Sequence, residues 1–351
     1  MNWMTEALKT RYPQNAVITD RLGNPSVMVY IEAFYLDDVI DGAPHVPHPA
    51  FVRDGRVQSG VYVSKFQNVV LGSACSLPDN DPATRISFDE AVAACAAKGD
   101  GFHLMTADEW GAIALWCQKN GWLPYGNNEL GKDVREETVT ARIAYFDREK
   151  PVCRTACGTG PVEWSHNRKP DGIYDLNGNI WEWMGGIRLV YGEVQILSAG
   201  TSNGYDQGPM SAGWRAIDGT NGESLIPDGN GTTKNSVKLD FADGCWRYVT
   251  GSVANSLDKA RFCSFADVCA DTSVGMAAKM RLYALGCLPV GAAKADRSVS
   301  FYANNGNAER MAFRGGRWGQ GLDAGVFKTC FDDPRSFSGD AVGFRSAYYK
   351  P

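Results

Sequence analysis

The chain is poor in histidine, in clustered positive charge and in long apolar runs, and each shortage removes a class of function. Four histidines in 351 residues cannot make a histidine-rich metal site. The close pair His45-Val-Pro-His48 lies among Pro44, Pro47 and Pro49, which set an extended loop. Thirty-five Lys and Arg stand against 40 Asp and Glu, a net charge of -5 with no basic run, so the electrostatic footprint of a nucleic-acid binder is missing. No stretch reaches the about eighteen apolar residues that a membrane-spanning helix needs. Met1 to Arg11 lack the apolar core of a secretory leader, which leads us to expect either a cytoplasmic protein or a virion component released by lysis.

Catalytic signatures are scarce as well. There is no Gly-x-Ser-x-Gly, no phosphate loop and no zinc-binding helix motif, and no repeat of fixed period that would build a solenoid or propeller. Ten cysteines are spread too thinly for a disulfide scaffold, and most are expected to be free. Cys153 and Cys157, four apart, read as a disulfide or as two thiols, because zinc would require two more ligands.

What the chain does contain is a large apolar fraction, 44%, enough for a sizeable core in one domain with insertions or in two. Val27 to Leu36 and Gly60 to Asn68 have the β-branched and aromatic content of buried strands. Ser87-Phe-Asp-Glu90 and Thr106-Ala-Asp-Glu109 are capping boxes. The first opens a stripe of Phe88, Ala91, Val92 and Cys95 that stops at Gly99; the second opens Trp110, Ile113, Ala114 and Cys117 and stops at Gly121. Capping therefore accounts for Glu90 and Glu109 without a catalytic role. Residues 198–251 are dense in Gly, Asn, Asp and Ser, as in Gly200-Thr-Ser-Asn-Gly204, and predict an insertion of loops and short hairpins.

Two stretches carry a stronger signal. Gly172-Ile-Tyr-Asp-Leu-Asn-Gly-Asn-Ile-Trp-Glu-Trp183 is a turn followed by an aromatic strand. Near the end of the chain, Phe313-Arg-Gly-Gly-Arg-Trp-Gly-Gln320 and Val342-Gly-Phe-Arg-Ser-Ala347 frame a strand-like Ala324-Gly-Val-Phe327. The frame encloses Arg317, Gly319, Gln320, Asp323, Cys330, Asp332, Asp333, Phe337, Gly339, Asp340 and Ala341, a mixed set with neither helical nor strand period.

These motifs, with Leu104-Met-Thr-Ala-Asp-Glu-Trp110, resemble formylglycine-generating-enzyme-type domains, a branch of the C-type lectin fold. Within it, the C-terminal frame is similar to that of the variable proteins of diversity-generating retroelements. The resemblance implies an α+β fold of the C-type lectin, sulfatase-modifying-factor type over residues 56–351; residues 1–55, outside it, read as an N-terminal extension, either a segment for attachment or oligomerisation or a plain extension of the core. It also implies a ligand-binding protein, not an enzyme, whose variable region at 313–345 recognises a protein or carbohydrate on a cell surface, as in phage tail-tip receptor-binding proteins. In such proteins the variable codons derive from AAC by changes at adenines; ten of the eleven residues satisfy that rule, and Gln320 does not. Arg314, Trp318, Phe327, Phe344 and Arg345 would hold the scaffold.

Some relatives bind calcium at the turn, which by position implies Asp175, the carbonyls of Gly178 and Ile180, and Glu182 as ligands; hydrogen bonding of the turn by Asp175 and Glu182 is the other reading. Alternatives to variable display are a fixed binder of one sugar or protein, and a formylglycine-generating oxidoreductase. The copper enzymes of that branch carry cysteines two and seven positions past the framing tryptophan, where this chain has Gln320 and Gly325, so the thiolates copper(I) requires are missing.

Overall fold

A computed structural model describes residues 3–197 and 206–350, and in them two sheets are tied together by the ends of the chain. The turn-rich Gly200-Thr-Ser-Asn-Gly204 lies outside the described residues. The first sheet is antiparallel, in the order Ala16–Thr19, Pro25–Glu32, Gly60–Ser64, Ser346–Tyr348, Phe102–Leu104. Its fourth strand is the last strand of the chain.

The second sheet has twelve strands. Its main path runs Arg261–Ser264, Ser300–Ala303, Gly325–Phe331, Arg310–Gly315, Trp181–Val190, Glu193–Leu197, Lys238–Ala242, Cys245–Val249, Cys269–Ala270. Val342–Phe344 adds in parallel to Trp181–Trp183, and Trp214–Ile217 branches from Glu193–Leu197. Both glycine-rich motifs thereby meet on one strand, Trp181–Val190.

Five α-helices are described: α1 (Trp3–Arg11), α2 (Leu36–Val39), α3 (Phe88–Ala96), α4 (Ala107–Lys119) and α5 (Met276–Ala284). Both predicted capping boxes form, with Ser87 and Thr106 accepting from the amides of Glu90 and Glu109 and the glutamates accepting in return. The helix α3 covers Trp183, Phe313 and Phe344 on one face of the large sheet. On the other face α4 joins the main core, and its Trp110 donates to the Val326 carbonyl at 2.6 Å. At Gly111 a Cβ would fall 2.1 Å from the Ala284 carbonyl, so glycine lets α4 and the end of α5 meet backbone to backbone.

The N-terminal residues and the described part of the 198–251 segment are both built into the sheets. Residues 1–55 are not an appendage: Pro25–Glu32 is sandwiched between two strands, Val27 and Met28 are fully buried, and Phe51 packs in the main core. A strand this apolar has to be paired on both edges and covered, which a detached segment could not provide. The described part of the 198–251 segment is likewise built into the large sheet, with Trp214, Leu239, Trp246 and Tyr248 buried. Its hairpin Lys238–Val249 turns at Asp243 and Gly244, both at positive φ, as the Asp-Gly pair dictates.

One ion pair joins the sheets. Arg345 donates from Nε to Glu182 at 2.9 Å and from Nη2 at 2.8 Å, and its remaining donors reach the carbonyls of Ser64, Lys65 and Tyr174. Both side chains are at most 1% exposed. Removing one partner leaves an uncompensated buried charge, which costs about 3–5 kcal/mol. Glu182→Ala is therefore expected to lower the urea midpoint by that equivalent with an unchanged m-value; a shift below about 1 kcal/mol would show that the pair does not hold the sheets together.

Candidate ligand-binding face

The strand Gly325–Phe331 turns Phe327, Thr329 and Phe331 toward the core and Lys328 and Cys330 toward the opposite face. Cross-strand register carries that outer face across the sheet: Phe262 lies opposite Tyr302, Tyr302 opposite Cys330, and Cys330 opposite Phe313. At the sheet edge Phe262 is 61% exposed and stacks on Tyr302 at 5.0 Å. Toward the centre, Phe313 and Trp183 are sealed under α3. The outer row thus runs from an exposed aromatic edge into a closed core.

None of the eleven enclosed residues is buried: Arg317, Gln320, Asp323, Cys330, Asp332, Asp333, Gly339, Asp340 and Ala341 are half-buried, and Gly319 and Phe337 are exposed. Their frame is the reverse. Arg314, Trp318, Phe327, Phe344 and Arg345 are all at most 5% exposed. Arg314 donates to the carbonyls of Leu285 and Gly286, where its charge meets the negative end of α5, and to Thr329. Trp318 donates to the Pro151 carbonyl at 2.8 Å.

The long loop is held mostly by groups other than the enclosed side chains. Arg335 pairs with Glu309 at 2.6 Å and Asp89 at 2.6 Å. The carbonyls of Gly339, Asp340 and Ala341 accept from Arg85, Arg154 and Trp181. The backbone at 339–341 is thereby secured through its carbonyls, while the Ala341 side chain packs against Val152, Cys153, Ile180 and Trp318. Phe337 lies edge-on to Phe313 at 6.1 Å.

Not every member faces solvent freely, and here the expectation is corrected. Asp323 accepts from the Ser300 amide and hydroxyl and pairs with Lys328, whose side chain is fully buried. Burial lowers the Lys328 pKa and the Asp323 charge opposes that shift. Gln320 accepts from the Arg317 amide at 2.9 Å, so it closes its own turn. Cys330 packs beside the α3 cluster, and burial pushes its thiol up. Asp333 is pushed up to about 6, by burial first and then by neighbouring Asp332.

Of the expected calcium ligands, the Ile180 carbonyl and the Glu182 carboxylate meet at a side-chain amide. Gln67 Nε2 donates to the carbonyls of Asp175 at 3.2 Å and Ile180 at 3.1 Å and to Glu182 at 3.0 Å. Glu182 is committed to Arg345, and Asp175 Oδ2 accepts from the Gly158 amide at 2.9 Å. Gln67 on the Ile180 carbonyl and Arg345 on the glutamate thus engage two of the four expected ligands, and Glu182 hydrogen-bonds within the protein as in the other reading of the turn. Asp175 remains with one unbonded oxygen, and burial pushes its pKa up to about 6. Among the described residues no group of three or more His, Cys, Asp and Glu is placed to hold a metal. Cys153 and Cys157 are free and buried, and no described helix is long and apolar enough to cross a membrane.

Sequence reasoning missed the fixed neighbours of this face: Phe262, Tyr302, Lys328, Trp181 and the hairpin Ile143–Thr155, whose Tyr145 and Phe146 are 41% and 54% exposed. Lys328 lies 4.6 Å from the Tyr302 ring centre and 5.8 Å from that of Trp181. These contacts come from strands far apart in sequence, and no local pattern records them.

The sulfatase-modifying factor enzyme 1-like domain model matches residues 19–205, more than half of the chain, and the chain belongs to that family. The α+β fold and the resemblance read from the motifs are borne out by this match, which begins inside the segment expected to be an extension. Solved structures similar to the chain include Treponema denticola variable protein 1, 12% identical with a TM-score of 0.35 over 96% of this chain and 99% of that one. The Major Tropism Determinant U1 and P3c variants are each 9% identical, with TM-scores of 0.31 and 0.32, over 92% of this chain and 63% of theirs. No curated protein matches.

Asp323→Ala should destabilise the protein by about 2 kcal/mol or more, because buried Lys328 loses its counter-charge, whereas Asp332→Ala should stay within about 0.5 kcal/mol. Thermal melts of the two variants separate these roles; equal effects would place both aspartates in one class.

Proposed function

We propose that this protein is a ligand-binding module that presents a diversified set of side chains on a C-type lectin frame, with the diversity written by a retroelement. The observation that carries the reading is the partition at 313–345: a buried frame of Arg314, Trp318, Phe344 and Arg345 around surface residues whose loop is secured largely through its backbone and Arg335. Changes at Arg317, Gly319, Asp332, Phe337, Gly339, Asp340 and Ala341 would then alter recognition with little effect on the fold. Asp323 and Cys330, though reachable from the same codon, belong to the supporting structure.

The ligand is a protein or carbohydrate on a cell surface, and the setting a virion tail tip. An aromatic such as Phe337 beside carboxylates suits a recognition surface, where one good anchor contributes about 2 kcal/mol or more. The reading is non-catalytic, because Gln320 and Gly325 occupy the positions at which the family's copper oxidases use cysteines. An uncopied gene would instead favour a fixed binder of one sugar or protein.

Sequencing the DNA around the gene tests the proposal. The expected result is a near-copy of the segment encoding 313–345, differing only where that copy carries adenines, beside a reverse transcriptase gene. Mismatches at Arg314, Trp318 or Arg345, or the lack of any copy, would overturn diversification.

A further inference from the structure

At the C-terminal end of α4, Trp122, Leu123, Phe265, Val299 and Phe327 wall a cavity of about 270 Å³, with Ala292 and Ala293 at one side. Its walls are set by the core and not by the loop discussed above. Phe265 and Phe327 stack at 5.5 Å with planes 13° apart and are at most 5% exposed. Arg168 lies 3.3 Å from the Trp122 ring centre, and the indole nitrogen donates to the Ser165 carbonyl.

The polar groups of the lining are largely consumed. The Gln118 amide donates to the Val290 carbonyl at 3.0 Å and accepts from the Ala293 amide at 3.0 Å. Asp296 is, among the described residues, the one charged residue on the lining. Its Oδ1 accepts from the Ser298 amide and hydroxyl, while no described donor bonds to Oδ2. Arg297, next in sequence, pairs with Asp267 at 2.6 Å.

An apolar cavity of about 150 Å³ is enough to hold benzene. A cavity of about 270 Å³ with aromatic walls and one carboxylate oxygen to spare selects a somewhat larger ring that carries a positive charge. We propose that this cavity is a binding site for a small aromatic amine of one or two rings. The ring packs against Phe265, Phe327 and Trp122, and the ammonium takes Oδ2 of Asp296. A narrower cleft shares Leu123, Asp296, Val299 and Phe327 with the cavity and reaches Leu322 and Gly325, so an occupant sits directly behind the turn that bears Asp323. The site stands independently of the diversification reading.

The test is calorimetric titration of the full chain with tryptamine, indole and indole-3-acetate. Tryptamine is expected to bind with a dissociation constant of about 1 mM or tighter, and indole-3-acetate at least about tenfold more weakly. Asp296→Asn, which keeps the acceptor for Ser298, should cost tryptamine about tenfold and leave indole unchanged. Ala292→Trp, placed at an exposed position of the lining, should abolish binding of tryptamine and indole alike while the melting temperature holds. No heat from tryptamine, equal affinity for amine and carboxylate, or full affinity in Asp296→Asn would each overturn the proposal.

Discussion

The buried pair of Arg345 and Glu182 is the constraint on which the rest of the structure depends. Two unlike charges taken out of water are stable only if every donor and acceptor is met. Meeting them requires the Trp-Glu-Trp strand, the carbonyls of Ser64, Lys65 and Tyr174, and the last strand of the chain to converge within a few ångströms. Gln67, bridging Asp175, Ile180 and Glu182, completes the same junction. Both ends of the segment 313–345 are thus fixed, one by Arg314 at the end of α5 and the other by Arg345.

A segment pinned at both ends by buried arginines can carry changing side chains between them. Arg335, Arg85, Arg154 and Trp181 hold its backbone, and most enclosed residues contribute little to that support. The exceptions are informative. Lys328 is buried beneath the surface, and its charge requires Asp323, so a residue can be partly exposed and still be structural. Recognition and stability are therefore separated by the direction of each side chain and its partners, not by its position in a loop.

Much of this was legible in the sequence. Capping boxes announced α3 and α4 because local hydrogen bonds decide helix starts, and the glycine-rich frames marked the C-terminal segment because each carries an arginine or tryptophan that the fold must bury. The edge aromatics Phe262 and Tyr302 were not legible, since their row is made by register between strands about forty residues apart. Nor were the partners of Glu182 in the turn motif: its donors, Gln67 and Arg345, lie 115 and 163 residues away. The place of the N-terminal segment, open between attachment and a plain extension of the core, was not legible for a related reason. Its apolar strand was visible, but the last strand of the chain, which completes its sheet, was not.

The central claim is that side-chain identity at the half-buried and exposed positions outside the supporting structure is uncoupled from folding. Its most direct test is a pool in which Arg317, Gly319, Asp332, Phe337, Gly339, Asp340 and Ala341 are randomised together and scored for resistance to protease, beside a control pool randomised at Arg314, Trp318, Asp323, Phe344 and Arg345. Most of the first pool should resist cleavage as the parent does, and almost none of the second. Comparable losses in both pools would contradict the account.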